Sequence, residues 1–153
     1  MSDSPFTTCP TSDKNISELQ SAGYVDSTGN LVAAYDAATV KLGSPWRMPT
    51  EAEVLALISN CTTEWITTNG VNGRLVKGTG NYKNRSIFLP ASGCGYAPIL
   101  QYPGSKGYFW TSTANSNYSN GAIELGFSLD EFNWHNNSRS SGLPVRPVRS
   151  PTE

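Results

Sequence analysis

The chain has 153 residues and a formal net charge of -1, from 11 Lys+Arg against 12 Asp+Glu. Charged residues make up 15% of it, against a usual share of about a quarter, so its polarity rests on Ser, Thr, Asn and Gly. Near-neutral charge excludes nucleic-acid binding by bulk electrostatics, no apolar run approaches the roughly 18 residues of a membrane helix, and four Trp, seven Tyr and five Phe argue against disorder.

The length predicts one domain over residues 1–153, with residues 1–12 expected to be flexible. Residues 13–22 (DKNISELQSA) predict a short helix with Ile16 and Leu19 on one face and Gly23 as its stop. Residues 33–42 (AAYDAATVKL) predict a second, closed by Gly43. The strongest local signal is Thr50 with Glu53, a capping box. Val54, Leu57, Ile58 and Cys61 then recur at helical spacing and predict a helix over 51–60 with one buried face. From Cys61 the pattern turns to β. TEWITT alternates, Asn69-Gly70 and Asn72-Gly73 are turn signals, and RLVKG returns as a strand. SIFLP (86–90) predicts a short buried strand and residues 91–107 an irregular segment. GYFWTST (107–113), AIELGFSL (122–129), EFNWHN (131–136) and PVRPVR (144–149) are further strand candidates. Helices first and strands later indicate an α+β domain with a mostly antiparallel sheet.

Catalytic and metal chemistry find little support. Cys9, Cys61 and Cys94 form no CxxC or Cys/His cluster, so zinc is not expected. An odd number of cysteines leaves two readings open, three buried thiols or one bridge with a free thiol. His135 is the one histidine. Asp130 and Glu131 lie close to it, but no nucleophile elbow accompanies them. Glu53 is explained by capping and Glu51 by the helix dipole. GTGNYKN lacks the GK[ST] ending of a phosphate loop. The start MSDSPFTTCP has neither the basic residues nor the apolar core of a signal peptide.

One window stands apart. Residues 111–142, TSTANSNYSNGAIELGFSLDEFNWHNNSRSSG, hold six Asn and seven Ser in 32 positions and no Lys. Tyr118, Phe132, Trp134 and His135 are interleaved with them. Small amides and hydroxyls around a few aromatics suit an adaptable binding surface. The alternation of Ile123, Leu125 and Phe127 predicts that part of the window is a half-buried strand that presents this surface.

DAATVKLGSPWRMPTEAEVLALI, CTTEWITTNGVNGRLVKG, SIFLPASGCGY, GYFWTST and GLPVRPVR, in that order over roughly residues 20–149, resemble the Fib-succ-major paralogous domain of the C-type-lectin-like superfamily. The resemblance implies a C-type-lectin-like fold with two or three short helices, a small twisted antiparallel sheet and long irregular loops. It makes Trp46, Arg47, Pro49, Trp110, Thr111, Ser112, Gly142, Val145, Arg146, Pro147 and Val148 scaffold. Some proteins of this layout are bacterial surface proteins, and some are the variable proteins of diversity-generating retroelements in phages and bacteria. In those systems a reverse transcriptase alters template adenines. An AAC or AAT codon then yields Asn, Ser, Tyr, Asp, His, Phe and others, and never a stop. Trp134 requires a different template codon, such as AGG.

Carried over residue by residue, the resemblance gives Asn115, Asn117, Tyr118, Asn120, Ser128, Asn133, Trp134, His135, Asn137, Ser140 and Ser141 as ligand-facing positions, with Ile123, Leu125 and Phe127 inside. The sequence departs from calcium-dependent lectins. It has no EPN or QPD triplet, Trp134-His135-Asn136 replaces WND, and the window's carboxylates are Glu124, Asp130 and Glu131 only. No metal and no cofactor are expected. The expectation is a non-enzymatic domain that recognises a protein or glycan on a cell surface, carried on a phage virion or a bacterial surface, with neither nucleic-acid binding nor membrane insertion. A fixed adhesive or structural module of the same fold is the alternative.

Overall fold

The computed structural model describes residue 11, residues 13–96 and residues 98–149. Apart from Thr11, the segment 1–12, including Cys9, lies outside these. The described chain is α+β, with three short α-helices and ten short strands in four small antiparallel sheets. The single expected sheet is thus divided into four.

Local chemistry sets each helix. In α1 (Ile16–Ser21) the Glu18 amide donates to Asn15 Oδ1 at 3.0 Å, and the Asn15 amide donates back to Glu18 Oε2 at 2.7 Å. Two orphan donors are satisfied reciprocally. Helix α2 (Ala37–Leu42) starts four residues later than the pattern predicts. Asp36 takes the cap position and accepts from the Thr39 amide at 2.8 Å, so residues 33–36 remain outside the helix. Helix α3 (Glu51–Asn60) has the predicted bounds and the Thr50–Glu53 box. Its Glu53 carboxylate also takes a two-pronged contact from Arg47, at 2.6 and 2.7 Å. Arg47 sits on β1 (Trp46–Arg47), which pairs with β10 (Val148–Arg149). The predicted strand 144–149 is cut to two residues, since Pro144 and Pro147 have no N–H for a ladder.

Strands β2 (Cys61–Thr68), β3 (Val71–Gly78) and β4 (Ser86–Pro90) form one sheet in that order. Thr68 pairs with Val71 across a two-residue turn in which Asn69 and Gly70 have φ of 51° and 77°. Asn-Gly is the pair best suited to two successive left-handed residues. The segment expected to be irregular contains a small hairpin, β5 (Cys94–Tyr96) with β6 (Ile99–Gln101).

The third sheet carries the window. It consists of β7 (Gly107–Ala114), β8 (Gly121–Phe127) and β9 (Phe132–Ser138), with β8 central. Strand β8 is covered on both faces. Leu125 and Phe127 join Phe109, Val54 of α3, Val76 and Leu89 on one side. Trp110 and Ala122 meet Ala38, Met48, Cys94 and Leu143 on the other. The outer edge of β7 is held by loops. Leu31 donates to the Ser112 carbonyl at 2.9 Å, Ser112 to that of Pro49 at 2.8 Å, and Ala114 to that of Gly29 at 2.9 Å. Strand β9 is therefore the open edge of this sheet among the described residues. Cys61 and Cys94 are free thiols, half-buried and buried.

Candidate recognition surface

The two strand ends of the β7–β8–β9 sheet carry different parts of the window. At one end, the loop between β7 and β8 exposes Asn117, Tyr118 and Asn120, and the turn after β9 exposes Ser140. These loops adjoin, since the Arg139 amide donates to the Asn120 carbonyl at 2.9 Å. At the other end lies the β8–β9 turn with Ser128. Between them, β9 presents Asn133, Trp134, His135 and Asn137. Alternation puts Asn133, His135 and Asn137 on one face of the sheet and Trp134 on the other. Along the open edge of β9, Trp134 therefore stands on one side and Asn133, His135 and Asn137 on the other.

Two of the eleven expected positions are not on the surface. Asn115 is buried, with its Oδ1 accepting from the Asn117 amide at 2.7 Å in an Asx turn. Ser141 is 2% exposed and its hydroxyl donates to Asn137 Oδ1 at 2.9 Å. Both hold turns rather than face a ligand. Ser128 and Asn137 are half-buried and His135 partly so. Ile123, Leu125 and Phe127 are buried, and Phe132 packs half-buried against the same core.

Three residues that the pattern did not single out fix this surface. Arg74, buried on β3, donates Nε to the Ser128 carbonyl at 3.0 Å and Nη2 to those of Leu129 and Glu131 at 2.7 and 3.3 Å. Arg139 donates to the carbonyls of Gly121 and Ser119 at the other end, and to those of Thr11 and Lys14. Each guanidinium thus ties one end of the sheet through backbone carbonyls. Glu124 is the third. It is 2% exposed on β8, in register with His135 of β9 and Trp110 of β7. Asn137 Nδ2 donates to its Oε2 at 3.1 Å, which completes a chain from Ser141 through Asn137 to Glu124. His135 packs over Gly126, where an added Cβ would meet its Cδ2 at 2.7 Å. Its Nε2 lies 3.0 Å from Glu131 Oε1.

Burial raises the Glu124 carboxyl above its ordinary 4.5, opposed by the Asn137 hydrogen bond and the nearby His135. Burial likewise raises the Cys94 thiol and pushes the Tyr108 hydroxyl up to about 12. Glu53 shifts the other way, held below 4.5 mainly by Arg47. The signs separate in pH. A carboxyl raised in the folded state binds more protons there than when unfolded, so Glu124 lowers stability as pH rises from 4.5 through its folded value. Glu53 contributes stability above 4.5 that is lost as pH falls through its depressed folded value. Glu124→Gln keeps an acceptor for Asn137. It is expected to raise the melting temperature at pH 7 and to flatten the fall in stability above pH 4.5, leaving the acid limb unchanged. A variant less stable at pH 7, with the wild-type slope, would contradict this assignment. Melting curves across pH make the comparison.

The arrangement offers hydrogen-bonding amides and hydroxyls with two aromatic anchors. Among the described residues no nucleophile is paired with His135, whose Nε2 faces Glu131. Among the described residues no group of three or more His, Cys, Asp or Glu is placed to hold a metal ion. No helix among them is long and apolar enough to cross a membrane.

A family model described as a domain of unknown function (DUF8237) matches residues 78–148, a span that contains β4 to β9 and the whole window. No curated protein and no solved structure matches the chain.

Proposed function

We propose that the chain is a non-enzymatic ligand-binding domain of C-type-lectin-like fold, whose window 111–142 is the diversified recognition surface of a retroelement variable protein. The observation that carries this reading is the division of labour inside the window. Ile123, Leu125 and Phe127 are buried, while Asn117, Tyr118, Asn120, Asn133 and Trp134 are exposed on the loops and open edge of the same sheet. A segment whose outward side chains vary needs inward ones that do not. The three short helices, small antiparallel sheets and long irregular connections agree in kind with the architecture that the resemblance implies.

Tyr118 and Trp134, 58% and 39% exposed, supply anchor area, and the Asn and Ser groups around them fix register. The partner is a protein or glycan on a cell surface, met by a phage virion or a bacterial surface. Sequencing of the genomic locus tests the reading. A neighbouring reverse-transcriptase gene and a second copy of the 111–142 coding segment, differing at adenines, are expected. A complete locus with neither would leave a fixed adhesive module of the same fold.

A further inference from the structure

A cleft of about 490 Å3 opens on the Trp110 face of the β7–β8–β9 sheet, the face that also carries His135, and Ala122 and Arg139 are among its lining residues. Its buried wall includes Leu19, Val25, Met48 and Trp110, and Tyr35, half exposed, stands at its rim. Tyr35 and Tyr24 pack ring to ring there, with centroids 4.7 Å apart and planes tilted by 59°. This volume falls in the range of small-molecule sites, about 300–1,000 Å3.

The chemistry of the lining selects the occupant. Its polar side chains at Thr111, Ser112 and Arg139 are already engaged inside the protein. Thr111 Oγ1 donates to the Ile123 carbonyl at 2.7 Å, and the Ser112 hydroxyl bonds Asn30 Oδ1 at 3.3 Å. The Arg139 guanidinium is spent on backbone carbonyls. No buried side-chain nitrogen or oxygen among the described residues lacks a partner. A charged or strongly polar ligand would lose its hydration here without replacement. A flat apolar ring would stack on Trp110 or the tyrosine pair and lose nothing polar. We propose that this cleft binds a neutral, flat aromatic molecule of roughly ten to twenty heavy atoms, a size set by the volume range of such sites. The site does not depend on the recognition reading above.

Titration of the full chain with the neutral probe N-phenyl-1-naphthylamine tests it. A saturable, blue-shifted rise in fluorescence is expected, at one probe per chain. Ala122 lies on the cleft wall, and Ala122→Leu fills part of the space and is expected to weaken the probe about tenfold or more. Tyr35→Ala removes the rim and is expected to weaken it severalfold, whereas Tyr118→Ala, outside the cleft, leaves it unchanged. Should Ala122→Leu fail to fold, Tyr35→Ala decides alone. Absence of saturable binding overturns the proposal. So does binding that both cleft variants leave intact while they melt like the wild type. Binding seen only after removal of residues 1–10 also overturns it, and assigns the cleft to the chain's own leading segment.

Discussion

Replacing Arg74 with Met is expected to cost about 3 kcal/mol or more, since hydrogen bonds from a charged donor contribute about 1.5–3 kcal/mol each and three carbonyls lose theirs. Those carbonyls belong to Ser128, Leu129 and Glu131, and the Thr63 hydroxyl loses a fourth, longer contact of 3.4 Å. No carboxylate pairs with Arg74 among the described residues. Its charge is therefore compensated by backbone dipoles, and the turn depends on it in return. For a domain of this length the loss corresponds to a melting temperature lower by roughly 6–12 °C. Amide exchange over residues 128–131 is expected to accelerate more than in the β2–β3–β4 sheet. Lys in place of Arg keeps the charge but not the planar fork, and restores only part of the loss. Wild-type melting and wild-type exchange in the turn would show that the carbonyls find other donors and that Arg74 clamps nothing.

The second large effect is expected at Asp36. This carboxylate is 3% exposed. It accepts from the Thr39 amide at 2.8 Å and from the Met48 amide at 3.1 and 2.9 Å. It therefore caps α2 and ties the strand before α3 to the start of that helix. Asp36→Ala is expected to cost about 2–4 kcal/mol, of which about 1 is the lost cap and the rest the buried Met48 amide left without a partner. Asp36→Asn keeps one acceptor oxygen and falls between. Urea denaturation reads the order wild type, Asn, Ala. An alanine variant within about 0.5 kcal/mol of wild type, the range of ordinary surface changes, would mean that water replaces the carboxylate.

These two residues also mark where the sequence stops being legible. Helix α3 and the β2–β3 hairpin are written locally. Thr50 and Glu53 are three residues apart, and Asn69-Gly70 supplies both left-handed positions of its own turn. Asp36 reads in sequence as one more polar residue on a helical stretch, yet its partner Met48 is twelve residues away. Arg74 shares its strand parity with Val76, which places it inward, but nothing local shows that its acceptors lie on the β8–β9 turn. Glu124 alternates with Ile123 and Leu125, a pattern that reads as solvent-facing. A second layer around Met48, Cys94 and Leu143 covers that face instead.

The candidate surface shows the same limit. Composition located the window, and the alternation of Ile123, Leu125 and Phe127 fixed its inward side. Turn chemistry decided the rest. The short Asn and Ser side chains that suit a variable surface also suit Asx turns and hydroxyl relays. Asn115 and Ser141 are consumed that way, and Asn137 is held between Ser141 and Glu124.

The proposed function requires a surface that can vary over a frame that cannot. Two libraries, sorted for folded chains on a display platform, compare them directly. One randomises Asn117, Tyr118, Asn120, Asn133, Trp134 and Ser140, and the other Asn115, Glu124, Asn137 and Ser141. The prediction is that most of the first library stays folded and that the second collapses to sequences close to the native one. Equal losses in both, or a surface library that tolerates only its native residues, would contradict it.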